Sequence, residues 1–174
     1  MDPALSEITA ILTRTPASVR ALLEDLPPPW LDANEGKGTF SPRDVLGHLI
    51  HGEKTDWMPR LKRILESGEA LPFDSFDRTG FSKAAGVRTT NDLLAEFATL
   101  RATNLDTLSR LSLTPGHFAL KGMHPSLGSV TLGQLLATWA VHDLNHIGQI
   151  VRVMSRRYSE AVGPWKAYLG ILIR

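Results

Sequence analysis

The chain contains no cysteine. That excludes disulfides, a thiolate nucleophile and cysteine-ligated zinc, and it suits a reducing cytoplasm. An excess of one charge is also missing: 19 lysines and arginines against 18 acidic residues leave a formal +1, too little to drive association with nucleic acid. No apolar run approaches the roughly 20 residues needed to span a membrane. The opening Met1-Asp2-Pro3 has neither the basic nor the apolar region of a signal peptide. A soluble cytoplasmic protein is therefore expected. Internal repeats, low-complexity tracts, a glycine-rich phosphate loop and a G-x-S-x-G elbow are all absent, and no segment alternates convincingly as a strand would.

What the chain does have is helical periodicity. Its 174 residues suit one domain, 1–174, with a sizeable core. The first amphipathic segment carries Leu5, Ile8, Leu12, Val19, Leu22 and Leu23. Pro16 interrupts it, either opening a new helix behind Thr15 or kinking a single one. Pro27-Pro28-Pro29 ends the segment, and Asn34 to Gly38 reads as an exposed loop. The second begins at Ser41-Pro42-Arg43-Asp44, which has the N-cap, N1 and N3 residues of a helix start, and runs through Leu65 with a bend expected at Pro59. The third starts near Thr90, taken as its N-cap, and its stripe is Leu93, Phe97, Leu100, Leu105, Leu108 and Leu111, with Asn104 inside it. The fourth, Thr131 to Met154, carries Leu132, Leu135, Leu136, Trp139, Ile147, Ile150, Val153 and Met154 without a proline.

Between the second and third segments, Gly68 to Thr89 holds Phe73, Phe76 and Phe81. Rings in such a connection anchor a crossover; a lid over a site is the alternative. Ser112 to Ser129 is a loop with a short hairpin expected around Phe118-Ala119-Leu120, and the tail around Gly163-Pro164-Trp165 forms a short helix or turn. The fold class is all-α: a four-helix bundle with a long crossover connection.

The chemistry concentrates on the fourth segment. His142 and His146 lie roughly 40° apart on the flank of its apolar stripe. Cβ atoms four residues apart are about 5–6 Å from each other, so the two imidazoles can converge on one ion, or can each satisfy a hydrogen bond in a core. Asp143 stands where a zincin motif has glutamate, and no histidine follows, so any third ligand comes from upstream. His48 and His51 open the second segment away from the centre of its stripe, which suits the rim of a cleft or plain solvation. His117 and His124 fall in the loop and read as surface residues within reach of a substrate. Glu53 and Asp143 project near the centres of apolar stripes. An unpaired charge there is costly, so each should be paired with Arg or Lys, a histidine or a backbone donor.

Ser41-Pro42-Arg43-Asp44-Val45-Leu46-Gly47-His48-Leu49, His142-Asp143-Leu144-Asn145-His146-Ile147-Gly148-Gln149 and Gly163-Pro164-Trp165-Lys166-Ala167-Tyr168-Leu169 together resemble the DinB-like (YfiT-like) metalloenzymes, over nearly the whole chain. The resemblance implies a four-helix bundle that binds a divalent metal, zinc or nickel among them, through one histidine early in the second helix and two spaced four apart on the fourth. His48, His142 and His146 match those positions; His51 lies beside the motif but not on it. Some relatives are S-transferases or isomerases that use low-molecular-weight thiols such as bacillithiol or mycothiol, and others are termed hydrolases. The implied function is thus metal-dependent, with S-transfer ahead of hydrolysis and any thiol brought by the cosubstrate. A small-molecule substrate is expected, with no nucleic acid and no membrane, and a homodimer is one assembly to expect. A non-catalytic bundle with a structural metal is the alternative, and four protein ligands in place of three would mark it.

Overall fold

Capping boxes open three of the four long helices in the computed structural model, which describes residues 4–77, 80–81 and 88–173. The Met1-Asp2-Pro3 start lies outside the described residues, as do 78–79 and 82–87 of the Gly68–Thr89 connection. Helix α1 spans Leu5–Leu23 and passes through Pro16 unbroken, so the single-helix reading holds. After a short α2, Pro28–Leu31, the Ser41 hydroxyl accepts from the Asp44 amide and starts α3, Pro42–Thr55.

The second segment does not simply bend at Pro59. It breaks at Asp56 (φ −112°, ψ −68°), and α4 restarts over Trp57–Ser67. Pro59 then stands in the first turn of a new helix, where a missing N–H costs least. A 3-10 turn, Gly68–Ala70, follows. Helix α5 covers Thr90–Arg110, and its N-cap is Thr89 rather than Thr90, because Asp92 can close a box only with the residue three before it. Thr131 and Gln134 cap α7, Leu132–Arg156.

The hairpin lies a few residues beyond its expected place. Thr114-Pro115 starts a helical turn, α6, Pro115–Phe118, so Phe118 is not in a strand. Strands β1, Lys121–His124, and β2, Gly128–Thr131, pair antiparallel instead, in the register Lys121 to Thr131 and His124 to Gly128. His124 Nδ1 closes their turn by accepting from the amides of Ser126 (3.1 Å) and Leu127 (3.2 Å). Gly128, at φ +76°, takes the left-handed conformation that the return requires. Gly122 leaves room for Phe73: a Cβ there would meet Ile64 at 2.7 Å and the Phe73 ring at 2.8 Å. The Phe73 amide donates to Met123 O (2.8 Å), so the crossover is anchored to the hairpin. The chain ends in a second 3-10 turn, Gly163–Tyr168, and α8, Gly170–Ile173.

Helices α1 and α3 each pack against α5 and α7. The interior divides into two apolar clusters. One holds Ile8, Leu12, Trp57, Leu61, Leu108 and Trp139, among others; the second holds Val19, Leu23, Leu46, Ile50, Phe97 and Ile150. Between them, with one residue from each of the four long helices, lies a buried polar layer: Thr15, Glu53, Arg101 and Asp143. No helix among the described residues is long and apolar enough to cross a membrane.

Candidate metal centre

The polar layer continues outward into three histidines. Helix α3 delivers His48 and α7 delivers His142 and His146, one turn apart. The His142 Nε2 lies 3.1 Å from both His48 Nε2 and His146 Nε2. An sp² ring nitrogen carries either one proton or one in-plane lone pair, so His142 Nε2 cannot make two hydrogen bonds at once. One cation between the three nitrogens satisfies all of them. Zinc held at about 2.0–2.1 Å by each nitrogen would set them about 3.3 Å apart, close to this spacing. The donor set fits a divalent metal.

The surroundings hold His142 and His146 neutral and aimed. His146 Nδ1 is 2.8 Å from Gln149 Oε1; with Nδ1 donating to that carbonyl oxygen, the His146 Nε2 lone pair faces the other two rings. Burial pushes His142 down to about 3, helped by His146, His48 and Arg101 nearby. His146 is lowered by burial too, against the opposing pull of Gln149 and Asp143. The Trp57 and His142 rings meet edge to face, ring centroids 5.0 Å apart, and Phe40, Phe76 and Phe81 surround His48 at 5.8, 5.4 and 6.3 Å. Phe73 and Phe81 are buried as anchors; Phe76 also covers the site. His51 faces the Phe76 ring at 5.0 Å and stays outside the cluster of three.

These shifts set a pH dependence for the metal-free protein. The unfolded chain protonates His142 near pH 6.5, whereas the fold resists the proton down to about 3. The unfolded state therefore binds more protons across that window, and stability falls as pH drops below about 6.5. His142 alone contributes a slope of about 1.4 kcal/mol per pH unit between those limits, and His146 acts in the same direction. Urea midpoints measured in chelator from pH 7 to 5 should show this slope in the native protein and a shallower one in His142→Asn.

Glu53 and Asp143 are both paired, and one residue does it. Arg101 donates to Asp143 Oδ2 (2.6 Å) and Oδ1 (3.1 Å) and to Glu53 Oε1 (2.8 Å). Asn104 and the Trp139 indole complete Glu53, donating to Oε2 at 2.9 Å and Oε1 at 3.0 Å. Burial opposes the charge on Arg101, but its hydrogen bonds to Asp143 and Glu53 outweigh that penalty and raise its pKa. Arg101 is absent from the candidates read in the sequence. Its position four after Phe97 and seven before Leu108 marks it as a charge at the stripe centre, the same signal that exposes Glu53.

The histidines open onto a cleft of about 710 Å³ between α3–α4 and α7, roofed by the crossover and the hairpin. Toward one end, Arg152 and Arg156 pair with Glu35 at 2.8 and 2.6 Å. Toward the other, Asp56 and Arg60 form an ion pair at 2.7 Å beside His124. Burial raises the Asp56 pKa, with Arg60 and His51 opposing. His124 is thus a half-buried cleft residue, not a surface one, while His117 caps its own helical turn by accepting from the Thr114 amide at 2.9 Å.

Residues 11–150 match the family model of the DinB superfamily. Among solved structures the chain is similar to YfiT from Bacillus subtilis, described as a probable metal-dependent hydrolase with an unusual four-helix bundle topology. The TM-score is 0.75 and the identity 22%, over 88% of this chain and 87% of that one. At that identity the likeness speaks for the bundle fold. No curated protein matches the sequence.

Proposed function

Because the chain belongs to the DinB superfamily, we propose that it is a divalent-metal-dependent enzyme whose ion is held by His48, His142 and His146. The observation that supports this reading most is the double contact of His142 Nε2, which neutral imidazoles cannot satisfy among themselves. A divalent ion held by three protein ligands would supply Lewis acidity, lowering the pKa of a water or thiol in its open coordination position. Three neutral donors leave the ion its full charge, which favours an anionic nucleophile. Gln149 orients His146, Arg101 and Asp143 brace the helix that carries two ligands, and Phe76 and Trp57 exclude bulk water from the inner cleft.

Thiol S-transfer is the leading reaction, zinc and nickel the leading metals, and the thiol comes with a cosubstrate because the chain has no cysteine. Hydrolysis is the second reading, favoured by the description of YfiT as a probable metal-dependent hydrolase. Protein purified without a metal-affinity tag should contain close to one divalent ion per chain by elemental analysis. Turnover of an electrophile panel should then depend on an added low-molecular-weight thiol. Turnover of esters or amides without thiol would favour hydrolysis; a metal-free preparation that takes up neither zinc nor nickel would remove both readings.

A further inference from the structure

The hairpin end of the cleft carries donors that nothing among the described residues uses. Arg60 sits behind a largely closed wall, its side chain 12% exposed. Its Nε faces Asp56 at 2.7 Å and its guanidinium lies over the Phe73 ring, 5.4 Å from the centroid. Among the described residues its terminal amino groups make no hydrogen bond, and Arg60 lines the cleft. His124 stands on the same ring, centroids 6.2 Å apart. Because its Nδ1 accepts from two turn amides, its neutral form carries the proton on Nε2, and this side chain also lines the cleft. Between these donors and the histidines lies Trp57, 5% exposed, whose indole N–H has no partner among the described residues. Gly52 makes room for it: a Cβ there would meet the indole nitrogen at 3.2 Å. His48, Gly52, Asp56 and Arg60 recur at four-residue steps along one wall, so the Arg60 backbone stands about three turns from that of His48.

We propose that Arg60 and His124 form an anion subsite that takes the carboxylate of an elongated substrate, whose opposite end reaches the three histidines past the face of Trp57. The proposal rests on the metal reading only for what meets that far end. An arginine braced at Nε presents its two amino groups as a fork, the geometry that carboxylates accept in bidentate fashion. The Asp56 carboxylate at 2.7 Å already balances Arg60 and limits the charge the subsite takes: a monoanion leaves it one negative charge, a phosphate dianion two. Trp57, Leu135 and Val130 line the cleft with apolar surface beside Gln134 and Thr138, which suits a hydrocarbon or aromatic spacer.

The test uses the full chain loaded with cobalt(II) and titrated with ω-mercapto acids and ω-mercapto alcohols of matched, increasing length. The thiolate-to-cobalt absorption band reports binding. At one spanning length the acid should bind about ten-fold or more tightly than the alcohol, the range of a charge-assisted bidentate contact. Arg60→Gln should bring the acid down to the alcohol and leave the alcohol unchanged. His124→Asn, which keeps an acceptor for the turn amides, should remove part of the preference. No acid preference at any length, or one that survives Arg60→Gln, overturns the subsite. If the chain takes up no cobalt, the metal reading fails by itself. The subsite is then read by tryptophan quenching with matched aryl carboxylates and aryl alcohols: acid-selective quenching lost in Arg60→Gln supports it, and equal quenching overturns it.

Discussion

Replacing His142 and His146 together by alanine is expected to lower affinity for zinc and nickel by well over 100-fold while the bundle stays folded. Loss of an outer partner alone typically costs about 10–100-fold in metal affinity, so loss of two direct ligands must cost more. Gln149→Ala supplies that smaller, internal comparison, since it removes only the acceptor for His146 Nδ1. His48→Ala should behave like a ligand deletion and His51→Ala like the native protein, because His51 lies outside the converging nitrogens. The fold survives for a physical reason: Leu132, Leu135, Leu136, Trp139, Ile150 and Val153 carry the buried stripe of α7, and none is touched. Removing the imidazoles also relieves the desolvation that depresses His142 and His146. Equilibrium dialysis with helicity followed by circular dichroism makes the measurement. Full retention of both metals by the double variant would sink the site, and the catalytic reading with it.

Much of this architecture is legible from local rules. Ser41-Pro42 with Asp44, and Thr131 with Gln134, announce their helices because a capping box is a contact between residues three apart. His142 and His146 are legible for the same reason, being four apart on one element. The resemblance then supplies His48, which no local rule can reach, since it meets His142 only across the bundle, 94 positions away in the chain. What the sequence hides is settled by tertiary contacts. The break at Asp56 is one case: Pro59 signals a perturbation but not that a helix would restart two residues earlier, where Trp57 can stack on Trp139 at 5.7 Å. The place of His124 is another. It looks like a loop residue until the strands around it pair and turn it to the cleft. The counter-ion of Glu53 and Asp143 is the third. The burial of two carboxylates demands a cation, yet which cation depends on α5 packing against α1 and α3.

That cation also solves a problem made by Pro16. A proline inside a helix has no N–H for the carbonyl four residues back, here Leu12, and Leu12 is fully buried. Arg101 Nη1 donates to Leu12 O at 2.7 Å, so one guanidinium satisfies two carboxylates and the orphaned carbonyl. Arg101→Leu takes the counter-ion from both carboxylates and the donor from the carbonyl, in an interior where Glu53 and Asp143 are 3% and 0% exposed. Removing one partner of a buried ion pair typically costs about 3–5 kcal/mol, and this variant should lose at least that in urea unfolding. The carbonyl's share is separable. Pro16→Ala restores an N–H to Leu12 O, so it should stabilise Arg101→Leu by about 1 kcal/mol more than it stabilises the native protein, the usual net value of a hydrogen bond. Neutralising the carboxylates in the same background, with Glu53→Gln and Asp143→Asn, should recover a further part of the loss. A double-mutant cycle with no coupling between positions 16 and 101 would show that Arg101 serves the carboxylates alone, and a loss below about 1 kcal/mol for Arg101→Leu would remove the polar layer as a determinant of this fold.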